Sequence, residues 1–181
     1  MNHPALFLTA CIAGTLIACS SPYASEMDLL LTESHGALVA LQSLHEDGIE
    51  ADYADLERHA SIARTKPFDS VHETFFRNEF EVLKYHYRQT SRWFELQSEV
   101  EWEAALTFGI QQVENLQHDA ANGLLDDEAV RQALEAEKNA LLPLIAEVKT
   151  SCAAMRELMA QHDSLDNHWQ MMWDRWENPT L

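Results

Sequence analysis

The chain is 181 residues long and carries 30 acidic against 12 basic side chains, a formal net charge of −18. A polyanion of this density is repelled by nucleic acid and by anionic lipid head groups, which excludes partners that depend on phosphate contacts. Only five glycines are present, with no Gly-x-Ser-x-Gly elbow, phosphate-cradling loop or dinucleotide fingerprint, so the motifs point away from an enzyme.

In chain order, the first element is an apolar leader. No Asp, Glu, Lys or Arg precedes Glu26, and residues 5–18 are apolar or small, broken only by Thr9, Gly14 and Thr15. That run is too short to span a bilayer as a stable helix and has the character of an export-signal core. It ends in Leu16-Ile17-Ala18-Cys19-Ser20-Ser21, which resembles the lipobox of bacterial lipoproteins. The resemblance implies cleavage after Ala18, a covalent lipid on the Cys19 thiol, a tether over residues 19–24 and one domain over residues 25–181. In such lipoproteins a Ser after the Cys, here Ser20, goes with the outer membrane and a domain facing the periplasm. The usual positively charged start is missing, and only the α-amino group and His3 can supply charge there. Cys11, after Leu8-Thr9-Ala10, is a second partial lipobox, but the apolar run before it is too short.

Once Cys19 is lipidated, Cys152 alone remains for the mature part, so a hydrophobic core rather than a disulfide must hold the fold. Cys152 falls among Val148, Met155 and Met159 in a helical pattern, as a small buried hydrophobe would.

The mature part is all-α: its apolar residues recur at three and four, with no strand-like alternation. Ser25 with Asp28 opens a first helix whose apolar side includes Met27, Leu30, Leu31, Leu38, Leu41, Leu44 and His45, and Gly48 stops it. A shorter helix over residues 51–65 carries Tyr53, Leu56, Ile62 and Ala63 and ends at Lys66-Pro67. Ser70-Val71-His72-Glu73 is a capping box for a long third helix running to Asn122-Gly123. Its candidates for burial are Phe76, Phe80, Leu83, Tyr87, Trp93, Phe94, Val100, Ala104, Ala105, Phe108, Val113 and Leu116. Asp126 or Asp127 caps the last helix, which keeps a heptad from Leu134 through Leu141, Val148, Met155, His162 and Trp169 to Trp176.

The two long helices, each about fifty residues or about 75 Å, should form an antiparallel hairpin with the two shorter helices packed along it, an elongated four-helix bundle. Pro143 must kink or break the last helix, with Gly109 facing the bend. The alternative is that the long helices snap at Ser91 and Pro143 into a shorter, five- or six-helix bundle.

A metal or haem site would have to come from the nine histidines. His72, Glu79 and His86 share a stripe of the third helix, but steps of about 10.5 Å are too long for one metal to bridge neighbours on it. Across the hairpin, however, His86 faces His162 in a seam with Leu83 and Leu165, where two imidazoles can share a metal, bracket a haem or bond to each other. Common ligand spacings such as His-Glu-x-x-His, Glu-x-x-His and Cys-x-x-Cys-His are absent. Met27 and His168 are placed similarly to the axial ligands of four-helix b-type cytochromes, but two residues do not make a motif.

The acid-only stretch over residues 26–57, including Glu50, Asp52 and Asp55, and an aromatic end with Trp169, Met172, Trp173 and Trp176 are the features that suggest a protein partner. The expectation is a non-catalytic, membrane-tethered binding module for a basic envelope or secreted protein. It would act as an inhibitor or immunity-type protein, or as an assembly factor. A metal or haem binder using His86 and His162 is the alternative, and beyond the lipid on Cys19 no cofactor is expected.

Overall fold

The computed structural model describes residues 22–66 and 70–177, with side chains from Thr74 onward in the second stretch. The leader, Cys11, Cys19 and the side chains of the Ser70–Glu73 capping box therefore lie outside the described residues. Five helices account for nearly all the rest: α1 Ala24–Glu46, α2 Ile49–Thr65, α3 Ser70–Val100, α4 Trp102–Ala121 and α5 Asp127–Glu177. There is no strand among the described residues, and no described helix is long and apolar enough to cross a membrane.

The boundaries follow local chemistry. α1 buries Met27, Leu30, Ser34, Ala37, Leu41 and Leu44, at alternating steps of three and four, and ends where Gly48 takes a φ of 96°. The turn between α4 and α5 uses Gly123 at φ 66°. There the Gly123 N–H bonds the Ala120 carbonyl at 3.2 Å and the Leu124 N–H bonds the Asp119 carbonyl at 2.9 Å. These bonds satisfy the last carbonyls of α4. Asp126 caps α5 by accepting from the Ala129 N–H at 2.8 Å.

The expected single third helix is broken, at Glu101 rather than Ser91, where φ 49° and ψ 51° place one residue in the left-handed region. The cause is a phase slip in the apolar stripe. Trp93 and Trp102 are nine residues apart, two and a half turns at 3.6 residues per turn, so a continuous helix would point them to opposite sides. The break turns both inward, with ring centroids 6.3 Å apart and 2% and 0% exposed. Phe108 and Val100, expected inside, are accordingly 67% and 41% exposed, while Leu106 is fully buried.

The last helix, by contrast, runs unbroken through Pro143. Gly109 makes room beside it: a Cβ there would lie 2.2 Å from Cδ2 of Leu141. The long hairpin forms, but α1 and α2 do not lie side by side on it. α1 packs on α4 and the first half of α5; α2 packs on α3 and the second half. The bundle is therefore a three-strut rod rather than a four-helix bundle, with α1–α2 end to end as one strut, α3–α4 as another and α5 as the continuous spine. Both broken struts break at one level, where Gln42 of α1 donates to Glu103 of α4 and Gln97 of α3 lies 2.8 Å from Nε2 of His45. One core sits on each side of that level, the first around Leu41, Trp102, Val113 and Val148, the second around Leu56, Leu83, Trp169 and Trp173.

Candidate functional site

Among the described residues, ionisable side chains cluster between α2 and α5 in the second half of the rod. Asp52, Asp55 and His59 follow one another on α2 at steps of three and four, as do His162, Asp166, Trp169 and Trp173 on α5, so each set shares a face. The two faces meet in a directed hydrogen-bond chain. The Trp173 indole N–H, a donor only, donates to His59 Nδ1 at 2.8 Å. This leaves the His59 proton on Nε2, which donates to Asp166 Oδ1 at 2.6 Å. His59 is fully buried, and burial is the main reason its pKa falls below 6.5.

Asp166 also accepts from Arg58 Nη2 at 2.9 Å, and the same guanidinium nitrogen lies 3.3 Å from Asp55 Oδ1. Burial works to raise the Asp166 pKa, but the His59 hydrogen bond and the Arg58 charge outweigh it and lower the value. Asp52 is raised, first by burial and then by repulsion from Asp163 and Asp55, with His162 pulling the other way.

His162 sits beside these carboxylates, 5% exposed. Its Nε2 is 3.8 Å from Asp52 Oδ1 and 3.7 Å from Asp55 Oδ2, beyond hydrogen-bond reach. That nitrogen has no hydrogen-bond partner among the described residues. Ligating atoms of Asp55, His162 and Asp166 all fall within 4.8 Å of one another.

His86 and His162, offered as a metal pair, do line one cavity, but its volume of about 10 Å³ suits one water or ion and leaves no space for a haem between them. His86 packs edge-on against Trp169, and burial, followed by His162, lowers its pKa. Carboxylates rather than His86 make up the close set around His162. Spacing rules framed on paired histidines overlook this set; the signals that carry it are Asp52-x-x-Asp55 and His162-x-x-x-Asp166. Met27 belongs to the first core, whereas His168 lies in the other half of the rod, 3.7 Å from Glu79, so they form no axial pair.

The three tryptophans assigned to partner docking are interior. Trp169, Trp173 and Trp176 are 0%, 3% and 7% exposed, and Trp176 stacks on Phe76 at 5.4 Å. They are buried because α2 and α3 both lean on this end of α5, leaving no open side on the stripe. Cys152 is likewise buried, which pushes its thiol pKa up.

The acid-only stretch is partly answered in space, since Glu26 pairs with Lys138, Glu33 with Lys149 and Asp55 with Arg58. Glu50 is exposed and pairs with His45, which lowers its pKa despite the opposing effect of burial.

A different apolar surface is open. Phe75, Val82 and Tyr85 of α3 are 72%, 38% and 55% exposed, and Met171 of α5 is 52% exposed. Phe75, Glu79 and Val82, at steps of four and three, share one side of α3. Met171, Glu79, His168 and Arg175 line a small cavity of about 40 Å³ between α3 and α5.

Compared with family models, curated proteins and solved structures, the chain matches none.

Proposed function

We propose that the chain is a lipid-anchored envelope protein that binds a basic protein partner without catalysis. The observation that carries this reading is the exposure of Phe75, Val82 and Tyr85 on α3 and of Met171 on α5, which lines one cavity with Glu79 of the Phe75–Val82 side; apolar patches of this kind are where proteins meet partners. Its position supports the reading. α1 begins beside the α4–α5 turn, where Asp28 accepts from Gln117 and Glu26 pairs with Lys138, so the tether leaves from that end. The apolar surface belongs to the opposite end, and the 51 residues of α5 set the two ends about 75 Å apart. Lipid on Cys19 holds the rod at the membrane, its length carries the contact surface away from it, and the net charge of −18 steers a basic partner. Both an inhibitor of a basic toxin or cell-wall hydrolase and an assembly factor fit this reading.

The test places a photo-crosslinking residue at Phe75 or Met171 in cells and at Glu137, half-buried on the other half of the rod, as control. A discrete adduct with a basic protein should form at the first two positions only, weaken as salt rises, and disappear in a Val82→Asp, Tyr85→Asp background. Equal adducts at all three positions would refute the surface. Palmitate labelling that persists in Cys19→Ser would refute the anchor.

A further inference from the structure

We propose that Asp52, Asp55, His162 and Asp166 form a binding site for one divalent first-row transition ion of the Zn²⁺ class, with Arg58 as the internal cation that the metal displaces. The site is built from two helices, one turn of each. Asp52 and Asp55 are three apart on α2 and His162 and Asp166 four apart on α5, the spacings that aim two ligands from one helix face at one point.

The acidic residues alone would be unremarked surface chemistry. His162 changes that. Its Nε2 is buried, lacks a hydrogen-bond partner among the described residues, and lies just beyond hydrogen-bond reach of two carboxylates. A buried imidazole nitrogen without a partner is costly, and a metal ion is the ligand that satisfies it and the carboxylates together.

The dimensions agree. Bonds of about 2.1 Å to nitrogen and oxygen put tetrahedral ligand atoms about 3.4 Å apart. The close set of Asp55, His162 and Asp166 lies within 4.8 Å, so closing on an ion takes about an ångström of side-chain rotation. Asp55, with 46% of its side chain exposed, has that freedom and marks the open side through which an ion enters. An imidazole among the donors favours a transition ion such as zinc over magnesium or calcium, which take oxygen ligands.

Support behind the ligands is already in place. His59 donates to Asp166 Oδ1 and is itself held by Trp173, the kind of outer hydrogen bond that fixes a ligating carboxylate. Arg58 bridges Asp55 and Asp166, putting one positive charge among three carboxylates. A divalent ion neutralises the set more fully, and the 44% exposed Arg58 side chain can swing into solvent.

The full chain in detergent, stripped with chelator, is titrated with Zn²⁺ by calorimetry in excess Mg²⁺, and each variant's fold is checked by circular dichroism. One site per chain is expected. Asp55→Asn and His162→Gln should each weaken it by about 100-fold, and Trp173→Phe by about tenfold through the loosened His59–Asp166 bond. Arg58→Ala should bind Zn²⁺ about tenfold tighter, because no guanidinium has to leave; a cluster serving only the fold has no reason to respond so. Absence of saturable Zn²⁺ binding, binding unchanged in Asp55→Asn with Asp166→Asn, or weaker binding in Arg58→Ala would each overturn the site and leave His162 as a buried ring packed beside Asp52 and Asp55.

Discussion

Of the described glycines, Gly109 of α4 has the least room, because it sits directly against Leu141 of α5. A methyl group on Gly109 would sit 2.2, 3.0 and 3.1 Å from Cδ2, Cγ and Cδ1 of Leu141. Rotating the leucine tip alone cannot relieve three such contacts, and Leu141 is only 3% exposed. Overpacking of this kind costs about 1–3 kcal/mol, while replacing a mid-helix glycine by alanine returns about 1 kcal/mol. Gly109→Ala should therefore destabilise by about 0–2 kcal/mol. Leu141→Ala alone should cost about 2–5 kcal/mol as a core truncation. Combined, the alanine methyl occupies space the leucine has left, so the double variant should be about 1–3 kcal/mol more stable than the sum of the singles, as for residues in direct contact. Urea unfolding followed by circular dichroism measures all four corners of the cycle. Additivity within about 0.5 kcal/mol, or a Gly109→Ala variant that gains the whole propensity term, would refute the contact.

Two further outcomes test the break and the buried histidines. Glu101→Gly should stabilise the chain by about 0.5–1 kcal/mol, the left-handed penalty relieved less the added freedom of the unfolded glycine. Glu101→Val should destabilise it in the same urea assay, and a Gly variant no more stable than wild type would mean the left-handed turn carries no strain. His59 and His86 are both depressed below 6.5 by burial, so the unfolded chain takes up their protons first as pH falls. Their contribution is present above pH 6.5 and is lost as pH drops from there through the folded values; the urea midpoint should fall over that window, and less so in His86→Leu. At lower pH, raised Asp52 gains stability on protonation while lowered Asp166 loses it, so the two oppose each other below the histidine window. A midpoint that rises on acidification between neutrality and about pH 5 would contradict the burial of these rings.

Much of the architecture was legible along the chain because it depends on neighbours in sequence. The Asn122-Gly123 turn, the Asp126 cap and the heptad of α5 each declare themselves within a few residues, and a hairpin closing at that turn brings His86 and His162 to one cavity. The opening of Gly109 toward the segment around Pro143 follows from the same register. The break at Glu101 was also written there, as the half-turn slip between Trp93 and Trp102, but glutamate carries no local mark of a left-handed residue.

What tertiary structure alone decided is which apolar stripe covers which. Trp169, Trp173 and Trp176 read as a stripe too broad for one seam, and only the lean of both α2 and α3 against α5 makes all three interior. Likewise α1 and α2 each have one apolar side, and nothing local says that they follow one another along the spine rather than lie abreast. The polar cluster is the extreme case. His59 and Asp166 are 107 residues apart, and they meet because α2 is rotated about its own axis to bury Leu56, which carries His59 against Trp173 and turns Asp55 toward His162. Periodicity along a chain records the direction of each helix's apolar face. The rotation and level at which two such faces meet come from packing the whole rod, so the apolar order of this protein was largely determined by its sequence pattern, while its chemistry waited on the fold.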